Sequence, residues 1–214
     1  RSFPYNVYAG SQDQGFQRSI APGEGVFDFV QSISGDYGHL SSGDEGETIW
    51  SNYPGFTLYY ANPVTGGGSL SLDFPGSGHL WLAPIIEDPY NPNQAYLAGG
   101  GLSGGNHLFH LTAGNSSISY IEEPYSFNST ISAMGYSHLD PTHRYVLTYD
   151  GSFYHSSDDG NNWQLSSAFD GPDAHYFYGS TIWESQSTSG TVIIGGSGYS
   201  NPPVYISYNH GESF

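Results

Sequence analysis

The stretch from Ser156 to Trp163 constrains the fold of this chain more than any other segment. It has the pattern S-x-D-x-G-x-x-W, with Asp158 and Gly160 at the two central positions. The Asp158 carboxylate can accept hydrogen bonds from nearby backbone N–H groups, and Gly160 can adopt the positive φ of a tight turn. Ser156 can brace the other side of the turn, and Trp163 begins the next strand with its ring turned inward. The pattern predicts a closed turn between two β-strands.

The same spacing returns 51 residues later, where an amide replaces the carboxylate and a phenyl ring replaces the indole, at Ser207, Asn209, Gly211 and Phe214. Fainter copies of the turn follow three earlier strand-like segments, at Ser19, Gly23 and Val26, at Gly66 and Gly67, and at Gly114. The strand ends at Ser19, Ala61, Leu111, Ser156 and Ser207 are separated by 42, 50, 45 and 51 residues. A repeat of this length in a chain of strands is typical of β-propeller blades.

The turn pattern resembles the Asp-box, or BNR, motif of a β-propeller superfamily that includes sialidases, sortilin-type receptors and xyloglucan-degrading hydrolases. In those families the motif lies on the outer turn of a blade, far from the ligand face. The resemblance therefore implies that Asp158 is structural and that ligand-binding residues lie on loops at one end of the central channel. Sialidases use an arginine cluster for the substrate carboxylate, and the arginines here are Arg1, Arg18 and Arg144. This count argues against a sialidase.

Composition supports a chain of short strands, since there are nineteen Tyr, twelve Phe and thirty Gly and no segment with helical periodicity. We predict an all-β, Asp-box-type β-propeller of four-stranded antiparallel blades. Residues 1–214 form a single propeller region with enough sequence for about five blades. The second and third blades are predicted to open with strands at residues 35–39 and 80–84.

The first and last repeats each lack one strand of the four. Residues 6–10 align with the second strands of other repeats, and residues 204–207 align with the third strands. The sequence is therefore interpreted as cut mid-blade at both ends and as part of a larger propeller, completed by a missing segment or a further chain. A five-bladed ring closed by these two ends is the alternative.

The formal charge of −17 excludes several classes of partner. The chain has three arginines, no lysine and twenty acidic residues. This balance argues against nucleic acid and anionic membranes as partners and favours a neutral or cationic ligand. The absence of Cys removes disulfides and thiolate metal sites. No apolar segment reaches membrane-spanning length, so membrane insertion is not expected. The resemblance to secreted propellers implies a secreted or cell-surface location.

Residues 11–15 and 35–38 form the candidate ligand site. They are similar to the QDNG and GDGG pair of secreted bacterial propellers in this superfamily, although Gln14 replaces Asn and Tyr37 replaces Gly. The predicted ligand-binding residues are Gln12, Asp13, Asp36, Tyr37 and His39. Asp13 and Asp36 could act as the carboxylate pair of a glycoside hydrolase, or could ligate Ca²⁺ together with Asp44. In the alternative interpretation, both aspartates brace glycine turns.

The sequence favours a non-catalytic binding or assembly module for a glycan or a protein. The alternative is a glycoside hydrolase that acts on polysaccharide, with its carboxylate pair at the channel mouth. Six aromatic residues offer faces for stacking on sugars, namely Tyr53, Tyr59, Tyr60, Trp81, Tyr90 and Trp183. The competing interpretation of these rings is packing between blades. No cofactor is required by either function.

Overall fold

The computed structural model of the chain describes residues 6–20, 28–63, 67–101, 105–167, 178–197 and 202–214. Within these ranges there are eighteen β-strands and no helix. The strands form five antiparallel sheets, and in each sheet the strands lie side by side in chain order. The prediction of an all-β chain built from repeated meanders is confirmed.

The first two sheets differ in size. The first sheet has three strands, β1 (Tyr8–Ser11), β2 (Gly15–Ser19) and β3 (Phe29–Ile33). The second sheet has four strands, β4 (Leu40–Ser41), β5 (Thr48–Tyr53), β6 (Phe56–Ala61) and β7 (Ser69–Asp73). A two-residue turn connects β5 and β6, since Tyr53 pairs with Phe56.

The remaining three sheets follow the same plan. The third consists of β8 (Ile85–Asp88), β9 (Asn91–Ala98), β10 (Leu108–Ala113) and β11 (Ile118–Glu122). The fourth consists of β12 (Ile131–Tyr136), β13 (Arg144–Thr148), β14 (Phe153–Ser156) and β15 (Gln164–Leu165). The fifth has three strands, β16 (Tyr178–Glu184), β17 (Val192–Ser197) and β18 (Val204–Ser207).

Two opening strands lie further along the chain than the sequence predicts. The second sheet opens at Leu40 instead of residue 35, because Gly35 has a φ of +127° and the Gly38 N–H donates to the Asn52 carbonyl from outside the strand. The third sheet opens at Ile85 instead of residue 80, because residues 81–82 form a turn and Pro84 has no N–H to donate. Both predicted strands were wrong in position.

The chain divides into two compact units. The first contains Arg1–Pro75, Trp81–Leu97 and His110–Ile121, and the second contains Gly76–Leu80, Ala98–Phe109 and Glu122–Phe214. In the first unit, the core lies between the first and second sheets and consists of Phe16, Tyr37, Ile49 and Leu58. Tyr8 stacks on Phe16 at a centroid distance of 5.9 Å, so aromatic rings fill most of this core.

The second unit has two core clusters that share the fourth sheet. All five residues of β13 are buried, because alternate side chains enter opposite clusters. Val146 packs in a cluster with Ala98 and Leu108 of the third sheet. Tyr145 and Leu147 point to the other side, where the cluster includes Val192 and Ile194 of the fifth sheet. The strand is buried on both faces because both faces are covered.

Candidate functional site

The two loops of the candidate ligand site lie next to each other in the first unit. The backbone N–H of Asp13 donates a hydrogen bond of 2.7 Å to Oδ1 of Asp36. Gly10 and Gly38 are also in close approach, since a Cβ on Gly10 would lie 2.6 Å from the Gly38 carbonyl oxygen. The structure thus brings together the two loops that the sequence paired. In this contact the Asp36 carboxylate faces a backbone donor, as in the turn-bracing interpretation.

The predicted ligand-binding residues differ widely in exposure. Gln12 and Asp13 are exposed on the turn between β1 and β2. Tyr37 is 4% exposed and its ring makes an edge contact with Tyr53 at 5.6 Å, so this ring is enclosed by the core of the first unit. Burial raises the pKa of the Tyr37 hydroxyl. Gln12 and Asp13 are therefore the members of the set that a ligand can reach directly.

His39 is half-buried beside the turn at residues 81–82. Desolvation lowers the pKa of its imidazole, and a hydrogen bond to the backbone of Leu82 opposes that shift. The neutral ring is favoured when burial outweighs the hydrogen bond. His39 is thus held as an uncharged side chain in the structure near neutral pH.

Asp44, the third candidate metal ligand, has its carboxylate occupied by its own turn. Ser42 Oγ and the Thr48 N–H donate to Oδ1 at 3.0 and 2.9 Å, and Thr48 Oγ1 donates to Oδ2 at 2.8 Å. Among the described residues, no group of three or more His, Asp or Glu side chains could hold a metal ion. Asp13, Asp36 and Asp44 consequently do not form a shared cation site in this structure.

The turn from Ser156 to Trp163 is closed by the side chains that its sequence pattern singles out. Ser156 Oγ donates to Oδ1 of Asp158 at 2.8 Å and accepts the N–H of Gly160 at 3.0 Å. Asp158 accepts from Asn162 twice, at 2.9 Å from the backbone N–H and at 2.6 Å from the side-chain amide. These hydrogen bonds lower the pKa of the Asp158 carboxyl. Gly160 has a φ of +83°.

The Asp158 carboxylate and the Trp163 ring are both partly exposed in this turn. Asp158 remains partly exposed, so its hydrogen bonds are made at the surface. Trp163 is half-buried and packs against the cluster that contains Phe127, with a ring-centroid distance of 5.2 Å. Trp163 therefore covers the edge of the core but is not enclosed by it.

The turn from Ser207 to Phe214 has the same construction with an amide. Ser207 Oγ donates to Oδ1 of Asn209 at 2.9 Å and accepts the N–H of Gly211 at 2.9 Å. The Asn209 oxygen accepts the N–H of Ser213 at 3.1 Å, as Asp158 accepts that of Asn162. An amide oxygen can replace a carboxylate oxygen here because each acts only as an acceptor toward the turn.

A third turn of this kind was missed in the sequence. Ser42, Asp44 and Gly46 keep the S-x-D-x-G spacing, and Gly46 donates its N–H to Ser42 Oγ at 2.8 Å. This turn connects the first and second strands of its sheet, whereas Ser156 to Trp163 connects the third and fourth. The S-x-D-x-G spacing is its signal in the sequence, although Ser11 and Ser34 begin the same spacing. The blade period instead indicates turns that are closed by backbone hydrogen bonds, such as Gly114 N–H to Ser117 O at 2.9 Å.

Other predicted copies are different or lie outside the described residues. Gly67 donates its N–H to the Asn62 carbonyl at 3.1 Å, so backbone groups close this turn also. Gly23, Val26 and Gly66 lie outside the described residues.

The six aromatic side chains that could stack on sugars fall into two groups. Tyr53, Tyr59 and Tyr60 are buried or half-buried, and Tyr53 and Tyr60 pack against the core of the first unit. Trp81, Tyr90 and Trp183 are 55, 60 and 49% exposed. Packing accounts for the first group, and the second group presents apolar ring surface to solvent.

No protein-family model matches the sequence, and no curated protein matches it significantly. The structure is similar to the crystal structure of the β-propeller domain of Cps50 (Swd1) from Myceliophteria thermophila. The TM-score is 0.58 and the sequence identity is 12%, over 96% of this chain and 71% of that chain. The similarity, together with the five antiparallel sheets, shows a β-propeller fold. Among the residues that the structure describes, no helix has the length and hydropathy of a transmembrane span.

Proposed function

We propose that this chain is a non-catalytic β-propeller module, secreted or on the cell surface, that binds a glycan or a protein through exposed aromatic side chains. The exposure of Trp81, Tyr90 and Trp183, at 55, 60 and 49%, is the observation that carries the proposal. Trp and Tyr are enriched where proteins bind ligands, because their rings combine apolar area with a polar group.

Charge limits the ligands that fit this module. A formal charge of −17 repels polyanions at long range and leaves neutral glycans and neutral or basic protein surfaces as suitable ligands. Asp140 and Asp158 have pKa values lowered by hydrogen bonds, so these carboxyls are held ionised.

The three serine turns support the finer assignment to Asp-box propellers. In each of them the serine hydroxyl accepts the backbone N–H of the glycine four residues later. The Asp or Asn two residues after the serine accepts the backbone N–H of the residue two positions after the glycine. We infer that Asp158, Asn209 and Asp44 are structural residues in Asp-box-type turns. Their side chains face their own backbone, which leaves ligand binding to other residues.

A glycan array and a protein pull-down from the medium or cell surface of the source would test the binding function. Trp81→Ala and Trp183→Ala are expected to reduce ligand binding by about tenfold each where the ring stacks on the ligand, because such contacts contribute on the order of 1–2 kcal/mol. Ile121→Ala is the matched control, since Ile121 is 70% exposed but has no ring that could stack on a ligand. Binding that is equally strong in all three variants would contradict the proposal.

One observation favours the hydrolase alternative, namely the proximity of the Asp13 and Asp36 loops. Two carboxylates on adjacent loops can act as acid and base or nucleophile if both side chains reach the substrate. A polysaccharide-hydrolysis screen with the wild type, Asp13→Ala and Asp36→Ala distinguishes the two functions. Asp73, an exposed aspartate on β7, provides the control variant Asp73→Ala. Turnover that is lost in Asp13→Ala and Asp36→Ala but retained in Asp73→Ala would support hydrolysis instead of binding.

A further inference from the structure

Two imidazole rings are stacked face to face in the second unit. The ring centroids of His143 and His210 lie 3.7 Å apart, and the ring planes are inclined by 16°. His143 ends the connection between β12 and β13, and His210 lies in the turn that follows β18. The stack therefore joins the fourth sheet to the turn of the fifth sheet. We call these two residues the histidine latch.

His210 is fixed by hydrogen bonds at both ring nitrogens. Nδ1 lies 3.0 Å from the Tyr145 hydroxyl, and Nε2 lies 3.2 Å from Ser189 Oγ. The backbone N–H of His210 donates to the Gly190 carbonyl at 2.9 Å. Each hydroxyl can donate or accept a hydrogen bond, so His210 can retain both contacts whether it is neutral or protonated.

His143 has a different environment. Nε2 lies 3.9 Å from Oδ2 of Asp140, at the limit of an ion pair. Nδ1 is buried and has no hydrogen-bond partner among the described residues. A proton on both nitrogens of His143 would leave one buried N–H donor unpaired, which is unfavourable in addition to the cost of burying the charge.

Charged groups from several elements face the latch. Asp140 from the connection before β13 and Glu212 from the turn after β18 favour a positive charge on His210, whereas burial, His143 and His155 of β14 oppose it. The net effect lowers the pKa of His210, with burial as the largest cause. Glu184 of β16 faces Tyr145, whose hydroxyl pKa is raised mainly by burial.

A second proton on the latch is opposed by the first, because the two rings are stacked. A single charge on His210 has two hydroxyl acceptors and two carboxylates nearby, whereas a second charge on His143 would face the first across the stack. Interacting sites of this kind lose their protons in two coupled steps. The doubly protonated pair is the state in which the stack is repulsive.

The turn that carries His210 also covers the fourth sheet. Phe214 makes an edge contact with Phe153 at 4.9 Å, and Gly211 lies directly against the same ring. Ser166 Oγ donates to the Glu212 carbonyl at 3.0 Å. Displacement of this turn would expose Phe153, which is fully buried.

We propose that the histidine latch is a proton-operated switch, which holds the 207–214 turn on the fourth sheet when the rings are neutral and releases it when both are protonated. Release on acidification exposes the Phe153 ring and changes the surface that the module presents. The switch is a property of this turn and does not depend on the identity of the bound ligand.

Histidine titration of the wild-type chain by NMR is the first test. His143 and His210 are expected to titrate as a coupled pair, with at least one midpoint below the ordinary value of about 6.5. Independent titration of both latch residues near 6.5 would overturn the proposal. The measurement needs no variant, so it cannot be confounded by misfolding.

Amide hydrogen exchange in the turn is the second test. In the wild type, the protection of the His210 and Gly211 amides should fall by about tenfold or more between pH 7.5 and 5.0, after correction for intrinsic exchange rates. His143→Phe keeps a ring for stacking but cannot take a proton, so its protection should change much less. His138→Gln, in the same connection, should behave like the wild type. An equal loss of protection in wild type and His143→Phe would show that the latch is not the switch.

Discussion

The backbone N–H of Asp13 is held by the carboxylate of Asp36, a residue 23 positions later in the chain, at a distance of 2.7 Å. Asp13 has a φ of +62°, which is an uncommon conformation for a residue with a side chain. The hydrogen bond helps to hold the turn between β1 and β2 in this left-handed conformation, which Asp tolerates better than most residues.

Replacement of Asp36 tests this relationship. Asp36→Ala should lower the free energy of unfolding by about 1 kcal/mol, because the Asp13 N–H loses its acceptor at a partly exposed site. Asp36→Asn keeps an acceptor oxygen and should have about half the effect. Urea unfolding of both variants, with Asp73→Ala as the control, measures the difference. Equal stability of Asp36→Ala and the control would contradict the bracing role.

Ser156 should be more important for stability than its neighbour Ser157. Ser156 is 2% exposed and its hydroxyl contacts both Asp158 and the Gly160 N–H, whereas Ser157 is exposed. Ser156→Ala should therefore cost about 1–3 kcal/mol through unpaired donors and acceptors, and Ser157→Ala should be within about 0.5 kcal/mol of the wild type. Thermal and urea unfolding give both values. A similar loss in the two variants would mean that the hydroxyl does not stabilise the turn.

Gly100 and Gly55 separate steric overlap from backbone strain. They have similar φ values of +107° and +97°, but a Cβ on Gly100 would overlap Cε2 of Phe109, while one on Gly55 would have no neighbour within 4 Å. Gly55→Ala should cost about 1–2 kcal/mol from strain alone. Gly100→Ala should cost about 3 kcal/mol or more, since overpacking adds to the strain.

Comparison of these two glycine variants by urea unfolding determines the steric contribution directly. If Gly100→Ala were no more destabilising than Gly55→Ala, Phe109 would have to move without cost. The buried ring of Phe109, which is 1% exposed, makes that outcome inconsistent with close packing in the second unit.

Stability should decrease on mild acidification. The pKa values of His39, His155 and His210 are lowered in the folded chain, mainly by burial, from the ordinary value of 6.5. The unfolded chain then binds more protons as the pH falls through 6.5, so the free energy of unfolding is greatest above this pH and decreases below it. Asp140 and Asp158 have lowered pKa values and lose their stabilising effect only below about pH 4.

Urea unfolding at pH 7.5, 6.5 and 5.5 measures this dependence. His39→Gln should reduce the slope, because this residue would no longer take up a proton on unfolding. A free energy of unfolding that rises between pH 7.5 and 5.5 would have the wrong sign for buried neutral histidines.

Features that depend on a few neighbouring residues were predictable from the sequence. The hydrogen bonds between Ser156 and Asp158 and between Asn162 and Asp158 span at most four residues. The pattern of residue types is therefore sufficient to predict how this turn is closed. The strand predicted at residues 204–207 has the same bounds as the observed β18, because apolar residues and flanking turn residues fix both ends. Repetition of these local units predicted the sheets and the fold class.

The tertiary structure decided which side chains meet and which remain exposed. Tyr59 and Trp81 look alike as aromatic residues in the sequence, yet Tyr59 is 8% exposed and Trp81 is 55% exposed. Asp36 finds its donor 23 residues away, and the His143–His210 stack joins residues 67 positions apart. Such contacts form because packed sheets bring distant segments together, and no local pattern of residues encodes their spacing. The sequence by itself determined the turns and the meander, and sheet packing determined the candidate site and the histidine latch.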